Sequence, residues 1–392
     1  MKIVSLVDSH ADLIHATAVS RALRRTHQEI LVNTGPHIGF SQARAYFDHL
    51  DLLDPEVNLD SGPITAHDSL GDLLNRLERA IFDLRPDLVV VRGHSSTTLA
   101  GALAAARHSI PVARLDAGVR TYHKNVPGEL SNILVDHLAD VLFCNTRAAV
   151  QRLSEEGIVA GVYLSGDTVL DTVECYRPVA HAHSSILQRV GLYRGCYLLA
   201  VIHYPELIDH ADYLHNLVKA FRSIREPIIL PVTSQTRVAL ERMDVTLPPH
   251  VLPLDPIGYL DMLNLIENAR VIITDADSLQ REAYCLAVPC ITVREETEVS
   301  ETVDVGWNQL VGCEVDRIIA AVRDFLPRSS AHRYSAAVTR PSVSPRCSMP
   351  ARSRLAKTTI KFPCRFSLIF LLFDPLWHPA RRTGLTSPER PI

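Results

Sequence analysis

The sequence predicts a two-domain α/β protein in which each domain is a doubly wound parallel sheet with helices on both faces. Short, nearly continuous runs of valine, leucine and isoleucine alternate with amphipathic helical patterns, and this alternation occurs twice along the chain. Strands that are apolar on both faces are typical of parallel sheets buried between helices. The length of 392 residues is sufficient for two such domains and a tail.

The first domain, predicted over residues 1–176, contains five strand-like segments separated by helical patterns. The predicted strands are Lys2–Val7, Glu29–Thr34, Asp87–Arg92, Val112–Asp116 and Val141–Cys144. The predicted helices are Leu13–Arg24, Ser69–Asp83, Leu99–Arg107 and Pro127–Ala139. The first strand follows Met1 with no long apolar run, so we expect no signal peptide.

A linker is predicted over residues 177–190, where a stretch rich in histidine and serine begins, and a second domain over 191–327. The strands predicted for this domain are Tyr197–Ile202, Pro227–Pro231, Val251–Leu254, Val271–Thr274 and Cys290–Val293. The predicted helices are His210–Arg222, Ile257–Ala269 and Ser278–Leu286. Two such units should hold a ligand between them, facing the carboxyl ends of both sheets.

Residues 328–392 differ from the rest of the chain. Proline, arginine and serine are frequent there, and no strand or helix period is sustained. An atypical, disordered tail is one interpretation. Non-native sequence, such as an out-of-frame reading, is the other, and both stay open.

Composition excludes several classes of protein. A net charge of −4 argues against a general nucleic-acid binder, which would carry a strong basic excess. The apolar run Phe366–Phe373 is too short to span a bilayer, so we expect no membrane span. The eight cysteines form no CxxC pair and no cluster with zinc-ligand spacing, so we expect no metal site. These features favour a cytoplasmic protein.

Polar motifs recur in order along both domains. In the first they read RGHSSTTLAG from Arg92, DAGVRT from Asp116, PGELSN from Pro127, VDHLAD from Val135 and GDTV from Gly166. In the second they read HYPE from His203, TDADSLQREA from Thr274, REETE from Arg294 and GWNQLVG from Gly306. Together they resemble the motifs of the non-hydrolysing UDP-N-acetylglucosamine 2-epimerases, over a region from Met1 to about Leu326.

The resemblance implies two Rossmann-like domains of glycosyltransferase-B type, a homodimer, a UDP-sugar as ligand and no cofactor. The reaction it implies is anti elimination of UDP from UDP-GlcNAc, followed by re-addition on the other face to give UDP-ManNAc for surface-polysaccharide precursors. That chemistry needs a base near C2, an acidic or cationic group that helps the diphosphate leave, and a cleft that excludes water.

The resemblance also assigns site residues. The catalytic candidates are Asp116, His203, His94 and Glu129. The substrate-binding candidates are His10, His15, His37, Arg120, Glu206, Asp275, Ser278, Gln280, Glu282, Glu298, Glu301 and Asn308. Among them, His203 is expected near the diphosphate, and Glu298 is similar to the carboxylate that holds the ribose hydroxyls.

Several catalytic positions depart from the family pattern. Asp116 stands for a glutamate, so the carboxylate is one methylene shorter, a displacement that can cost about 10²-fold in rate. Gly128 replaces an acid thought to take part in proton transfer, and only Glu129 of that acidic pair is kept. His94 replaces an aspartate. Either one general acid/base has been exchanged for another, or the substitution is tolerated in an idle site.

Phosphate binding is altered as well. His10 and His15 stand where the family has an arginine and a lysine, and Asp8 adds a negative charge. Asp277 occupies the glycine-rich start of a helix whose backbone N–H groups receive phosphate in the family, and a carboxylate there would repel a diphosphate. Arg281 returns a cation one turn later.

The sequence therefore favours a UDP-N-acetylglucosamine 2-epimerase homologue. The alternative is a catalytically impaired paralogue that binds a nucleotide sugar weakly or acts as a partner subunit. A glycosyltransferase of the same architecture is a third interpretation, which the ordered epimerase motifs argue against.

Overall fold

The computed structural model describes residues 1–35, 55–59, 70–123, 128–202 and 211–327. In these ranges the chain forms two parallel sheets with helices between the strands, which confirms the predicted two-domain α/β fold. The predicted site residues His37, His203 and Glu206, and the tail 328–392, lie outside the described residues.

The first sheet has seven strands in the order β3-β2-β1-β4-β5-β6-β7. Its strands are β1 Lys2–Val7, β2 Gln28–Asn33, β3 Val57–Asn58, β4 Leu88–Arg92, β5 Val112–Leu115, β6 Val141–Cys144 and β7 Val162–Leu164. The helices between them are α1 His10–Leu23, α2 Leu70–Leu84, α3 Ser96–Arg107, α4 Glu129–Leu138 and α5 Arg147–Glu155. All pairings are parallel, so the carboxyl ends of the central strands meet at one edge.

The second sheet has six strands in the order β10-β9-β8-β11-β12-β13. Its strands are β8 Leu198–Val201, β9 Ile228–Pro231, β10 Val251–Leu254, β11 Val271–Thr274, β12 Cys290–Thr292 and β13 Asn308–Leu310. Two helices lead into this domain, α6 Thr168–His183 and α7 Ile186–Val190. The others are α8 Ala211–Ser223, α9 Ser234–Arg242, α10 Tyr259–Asn268, α11 Asp277–Cys285, α12 Ser300–Asp304 and α13 Val315–Asp324.

Helix α6 joins the two domains. Its side chains Val173, Tyr176 and Val179 pack in one buried cluster with Ile14 of the first domain and with Leu263 of the second. The helix continues past residue 176, where the sequence predicts the first domain to end, and it includes Pro178. Because one helix buries apolar surface against both domains, it fixes the position of the first sheet relative to the second.

Short side chains set where several helices begin. Ser9, Ser95 and Thr233 each precede a helix and accept a hydrogen bond from a backbone N–H of its first turn. Such caps satisfy donors that have no partner inside the helix. None of the helices in the described ranges is long and apolar enough to cross a membrane.

Candidate active site

A cavity of about 230 Å³ lies between the domains, where the carboxyl ends of both sheets face each other. The first domain contributes Asp8, Ser9, Ala11, Asp12, His15, Arg92, Gly93, His94, Ser95, Asp116, Val119 and Asn132 to its wall. Helix α6 contributes Val169, and the start of α11 contributes Asp277, Ser278 and Arg281. The place is the one expected for a ligand in an α/β fold.

Asp116 lies between two arginines from different domains. Its Oδ2 accepts from Arg92 Nε at 3.2 Å, and its Oδ1 is 3.5 Å from Arg281 Nη1. Burial would raise the pKa of Asp116, but Arg92, Arg281 and His15 outweigh it and hold the pKa below its usual value. The group is therefore an ionised carboxylate at neutral pH, able to accept a proton or to hold a cation.

The backbone at Asp116 is held in an unusual conformation. Its φ is +57°, in the left-handed region that a non-glycine residue rarely adopts. Gly118, two residues later, has φ +76°, and a Cβ there would lie 2.4 Å from the Ala149 carbonyl oxygen. Only glycine fits at that position, so the turn after β5 has little freedom.

A buried ionic network fixes the same turn. Arg114 Nε lies 3.0 Å and Arg120 Nη1 2.7 Å from the carboxylate of Asp136. Arg120 also donates to Glu156, at 2.8 and 2.6 Å, and Asp136 accepts from Gly118 N. Arg120, a predicted substrate-binding residue, is thus occupied within the protein and lies outside the cavity wall. Paired and hydrogen-bonded buried charges of this kind are costly to separate.

Glu129, a predicted catalytic residue, is also occupied. It is buried, and its carboxylate accepts from the backbone N–H groups of Thr121 and Tyr122 and from the Thr121 hydroxyl, at 2.9 to 3.0 Å. It does not line the cavity. These hydrogen bonds hold the backbone that follows the turn at Asp116. A catalytic role for Glu129 stays a prediction.

His94 packs directly against Gly128. Gly128 has φ +90°, and a Cβ built on it would lie 2.4 Å from Cδ2 of His94. The imidazole of His94 therefore occupies the space that a side chain at position 128 would need. Since His94 lines the cavity, a titratable group stands where the motif has lost its acid.

Asp277 is the first residue of α11, and the preceding Ala276 offers no side-chain cap. Burial would raise the pKa of Asp277, but His94, Arg281 and Arg294, together with the Ser278 N–H, lower it below its usual value. A negative charge therefore stands at this helix start, on the cavity wall. It satisfies the positive end of the α11 dipole from within the protein.

The loop after β1 and the first turn of α1 bring two further carboxyl groups, Asp8 and Asp12, to the cavity. Burial, then the charge of Asp8 and a hydrogen bond with it, raise the pKa of Asp12 well above its usual value. Asp12 therefore keeps its proton to a higher pH than an ordinary carboxyl group does. His10 begins α1. His15 lies with its Nε2 3.5 Å from Glu282 of the second domain, which also accepts from Tyr259 Oη at 2.9 Å.

The remaining predicted binding residues of the second domain form a buried polar layer next to α11. Glu298 is paired with Arg294 at 2.9 Å, and Asn308 donates to Gln280 at 2.9 Å. Asp275 is fully buried directly after β11. Glu301 accepts from Thr146 of the first domain at 3.0 Å.

Of the predicted site residues, the cavity wall brings together Asp116, His94, His15 and Ser278. Sequence reasoning gave no role to Arg92 or Asp12, which line the same wall. The only signal in the sequence was that Arg92 is the last residue of a predicted strand and that Asp12 follows another within five residues, at the edge where ligands bind.

Comparison with known proteins agrees with this architecture. The family model for UDP-N-acetylglucosamine 2-epimerase matches residues 21–342. A UDP-N-acetylglucosamine 2-epimerase homolog of Methanococcus maripaludis is 35% identical over 85% of this chain and 95% of that protein. The UDP-2,3-diacetamido-2,3-dideoxy-D-glucuronate 2-epimerase of Pseudomonas aeruginosa is 33% identical over 84% of this chain and 93% of its own length.

A solved structure shows the same fold. The crystal structure of Methanocaldococcus jannaschii UDP-GlcNAc 2-epimerase in complex with UDP-GlcNAc and UDP superimposes with a TM-score of 0.79 at 31% identity. The match covers 84% of this chain and 94% of that one.

Proposed function

This chain belongs to the UDP-N-acetylglucosamine 2-epimerase family, and we propose that it epimerises a UDP-linked 2-acetamido sugar at C2, with UDP-GlcNAc and UDP-ManNAc as the interconverted pair. We further infer, from family membership, that it acts as a cytoplasmic homodimer that supplies precursors of surface polysaccharides. The reaction proceeds by elimination of UDP with loss of the C2 proton, followed by re-addition of UDP to C1 and delivery of a proton to the opposite face of C2.

One observation carries the proposal. His94 fills the space left by Gly128 and lines the same cavity as the ionised Asp116. Epimerisation removes a proton from C2 on one face and returns one on the other, so it needs two groups that exchange protons. Asp116, whose pKa is lowered, supplies a carboxylate that can act as base. The His94 imidazole supplies the second group, because a ring nitrogen can accept or donate a proton.

The alternative, an impaired paralogue that binds nucleotide sugar weakly, is favoured by a different observation. Asp277 occupies the start of α11, and Arg281, the cation one turn later, lies 3.5 Å from Asp116. A diphosphate at this helix would have to approach a carboxylate and compete with Asp116 for Arg281.

Proton NMR decides between the two. The chain is incubated with UDP-GlcNAc in D₂O, and UDP-ManNAc and deuterium at C2 are measured together. The proposal predicts both. Asp116→Asn should lower turnover by about 10²-fold or more, since general base catalysis contributes that much, while the thermal midpoint and UDP-GlcNAc binding persist. The Asp255→Asn variant, whose side chain is 90% exposed, is the matched control.

Binding without deuterium exchange or product would establish the impaired paralogue. Turnover that survives Asp116→Asn would remove Asp116 from the role of base.

A further inference from the structure

The guanidinium of Arg92 is only partly used by the protein. Arg92 ends β4 on the cavity wall and is 8% exposed. Its Nε donates to Asp116 at 3.2 Å, whereas its Nη1 is buried with no hydrogen-bond partner among the described residues. A buried donor without a partner costs free energy, and more so when it is charged. The group is therefore poised for an acceptor that the described residues do not provide.

The helix that follows adds to this donor. α3 begins at Ser96, after the cap residue Ser95, and has no acidic residue in its first turn. Gly93 has φ +72°, and a Cβ built on it would meet nothing within 4 Å. The backbone between strand and helix is thus open towards the cavity, and the positive end of the α3 dipole faces it unneutralised by any side chain of the first turn.

We propose that residues 92–96, the β4–α3 turn, bind an oxyanion of the ligand, with Arg92 and the amino-terminal N–H groups of α3 as donors. The oxyanion is either a phosphate of the diphosphate or a carboxylate on the sugar, since a guanidinium recognises both through the same planar donors. Only the choice of ligands rests on the proposed function. The site itself rests on the unused buried donor and the open helix start.

An anion site at the β4–α3 turn suits a chain in which carboxylates lie at two other predicted phosphate-binding positions. The carboxylate of Asp277 stands at the start of α11, and His15 lies 3.5 Å from Glu282. Asp116 neutralises Arg92 incompletely, because its second oxygen is 3.5 Å from Arg281. An anion at the β4–α3 turn therefore meets a guanidinium whose hydrogen-bonded partner, Asp116, also faces Arg281.

Calorimetric titration tests the site with uridine, UDP, UDP-GlcNAc and UDP-glucuronate, on the full chain and on Arg92→Gln. A charge-assisted hydrogen bond predicts that the variant loses affinity by about tenfold or more for the ligand that carries the bound oxyanion. Uridine should be unaffected. Arg107→Gln, at the far end of the same helix and paired with Glu78 at 2.6 Å, is the control for the loss of one arginine.

The ligands separate the two sources. Equal losses for UDP, UDP-GlcNAc and UDP-glucuronate place the diphosphate at the turn, and a loss confined to UDP-glucuronate places a sugar carboxylate there. Arg92→Lys, which keeps the charge but lacks the planar fork, should lose about threefold or more, and it serves if Arg92→Gln does not fold. Unchanged affinities in folded variants, or no binding of any anion by the parent chain, overturn the proposal.

Epimerase turnover is not part of this test. A chain that binds UDP through Arg92 without turnover would retain the oxyanion site and lose the proposed function. A chain that turns over substrate, but whose ligand affinities do not change when Arg92 is replaced, would retain the proposed function and lose the oxyanion site.

Discussion

Two helices, α3 and α11, begin at the same cavity, yet their starts are electrostatically opposite. The start of α3 follows the partly unused guanidinium of Arg92 and has no acid in its first turn. The start of α11 carries Asp277 as its first residue, with a lowered pKa. The start of the helix in the first domain is thus positively charged, and the start of the helix in the second domain is negatively charged.

The difference teaches that the helix start alone does not make an anion site. Both helices offer backbone N–H groups and the positive end of a dipole. At α11 the protein's own carboxylate has taken that position, whereas at α3 the position is open and strengthened by Arg92. The central claim is that anion binding in this chain has moved from the second domain to the first.

The largest effect is expected from the network that supports the α3 side. Asp136→Asn leaves the buried Arg114 and Arg120 without their shared carboxylate. Breaking such a network should lower the free energy of unfolding by about 3–5 kcal/mol. Urea denaturation of the variant measures this. Asp255→Asn breaks an exposed pair with Arg237 and should change stability by about 0.5 kcal/mol or less. Similar values for both variants would show that the network contributes no more than a surface pair.

Acidic crowding along α6, the helix that joins the domains, should appear as pH dependence of stability. Burial, then the charges of Asp167 and Glu174, raise the pKa of Asp171 to about 7. The folded chain therefore keeps a proton that the unfolded chain releases near pH 4, so this group makes stability fall as the pH rises from about 4 to about 7. Asp171→Asn should stabilise the chain at pH 8 by about 2 kcal/mol, after allowance for partial exposure, and by little at pH 4. A gain independent of pH would contradict this origin.

Removing the carboxylate at α11 should make the two helix starts alike. Asp277→Gly with Ala276→Ser removes a repulsion of about 1 kcal/mol or more between a carboxylate and a phosphate some 4 Å apart. Glycine also lets backbone N–H groups approach the anion. UDP should bind about fivefold tighter or better by calorimetry at matched ionic strength. If the folded variant binds no better, the α11 start does not contact the diphosphate even when it is open.

The smallest effect is expected from the α3 cap. Ser95→Ala removes the acceptor for Thr98 N and should cost about 1 kcal/mol of stability. Thr233→Ala removes the same kind of cap from α9 at Thr236 N, away from the cavity, and should cost a similar amount. Only Ser95→Ala should also weaken UDP binding, by about twofold. Equal UDP affinity in the two variants would show that the α3 cap does not contribute to ligand binding.

The sequence predicted the fold well where strands form apolar runs of four or more residues. β1, β6, β10 and β11 have the bounds expected from their apolar runs. The edge strands β3, β7 and β13 were missed, because two or three residues carry no period that sequence alone can detect. No helix was predicted over residues 168–183, and residues 177–190 were predicted to be a linker, whereas the structure has helix α6 there. Packing against the second domain maintains it to His183.

The site was harder to predict because its chemistry depends on contacts between distant segments. The resemblance indicated Asp116 and His94, and both line the cavity. It could not show that Arg281 approaches Asp116 across the domains, or that His94 fills the space beside Gly128. Glu129 and Arg120 match family motifs, yet their visible contacts are with the protein's own backbone and carboxylates. The spacing of residues in a motif does not show which group a charged side chain pairs with in the folded protein.

The central claim is tested most directly by a crystal structure of the chain with UDP. The claim predicts phosphate oxygens within hydrogen-bonding distance, about 3 Å, of Arg92 and of the N–H groups that open α3, with Asp277 still at the start of α11. A diphosphate held by the α11 N–H groups, with Asp277 displaced and Arg92 bound to Asp116 alone, would contradict it.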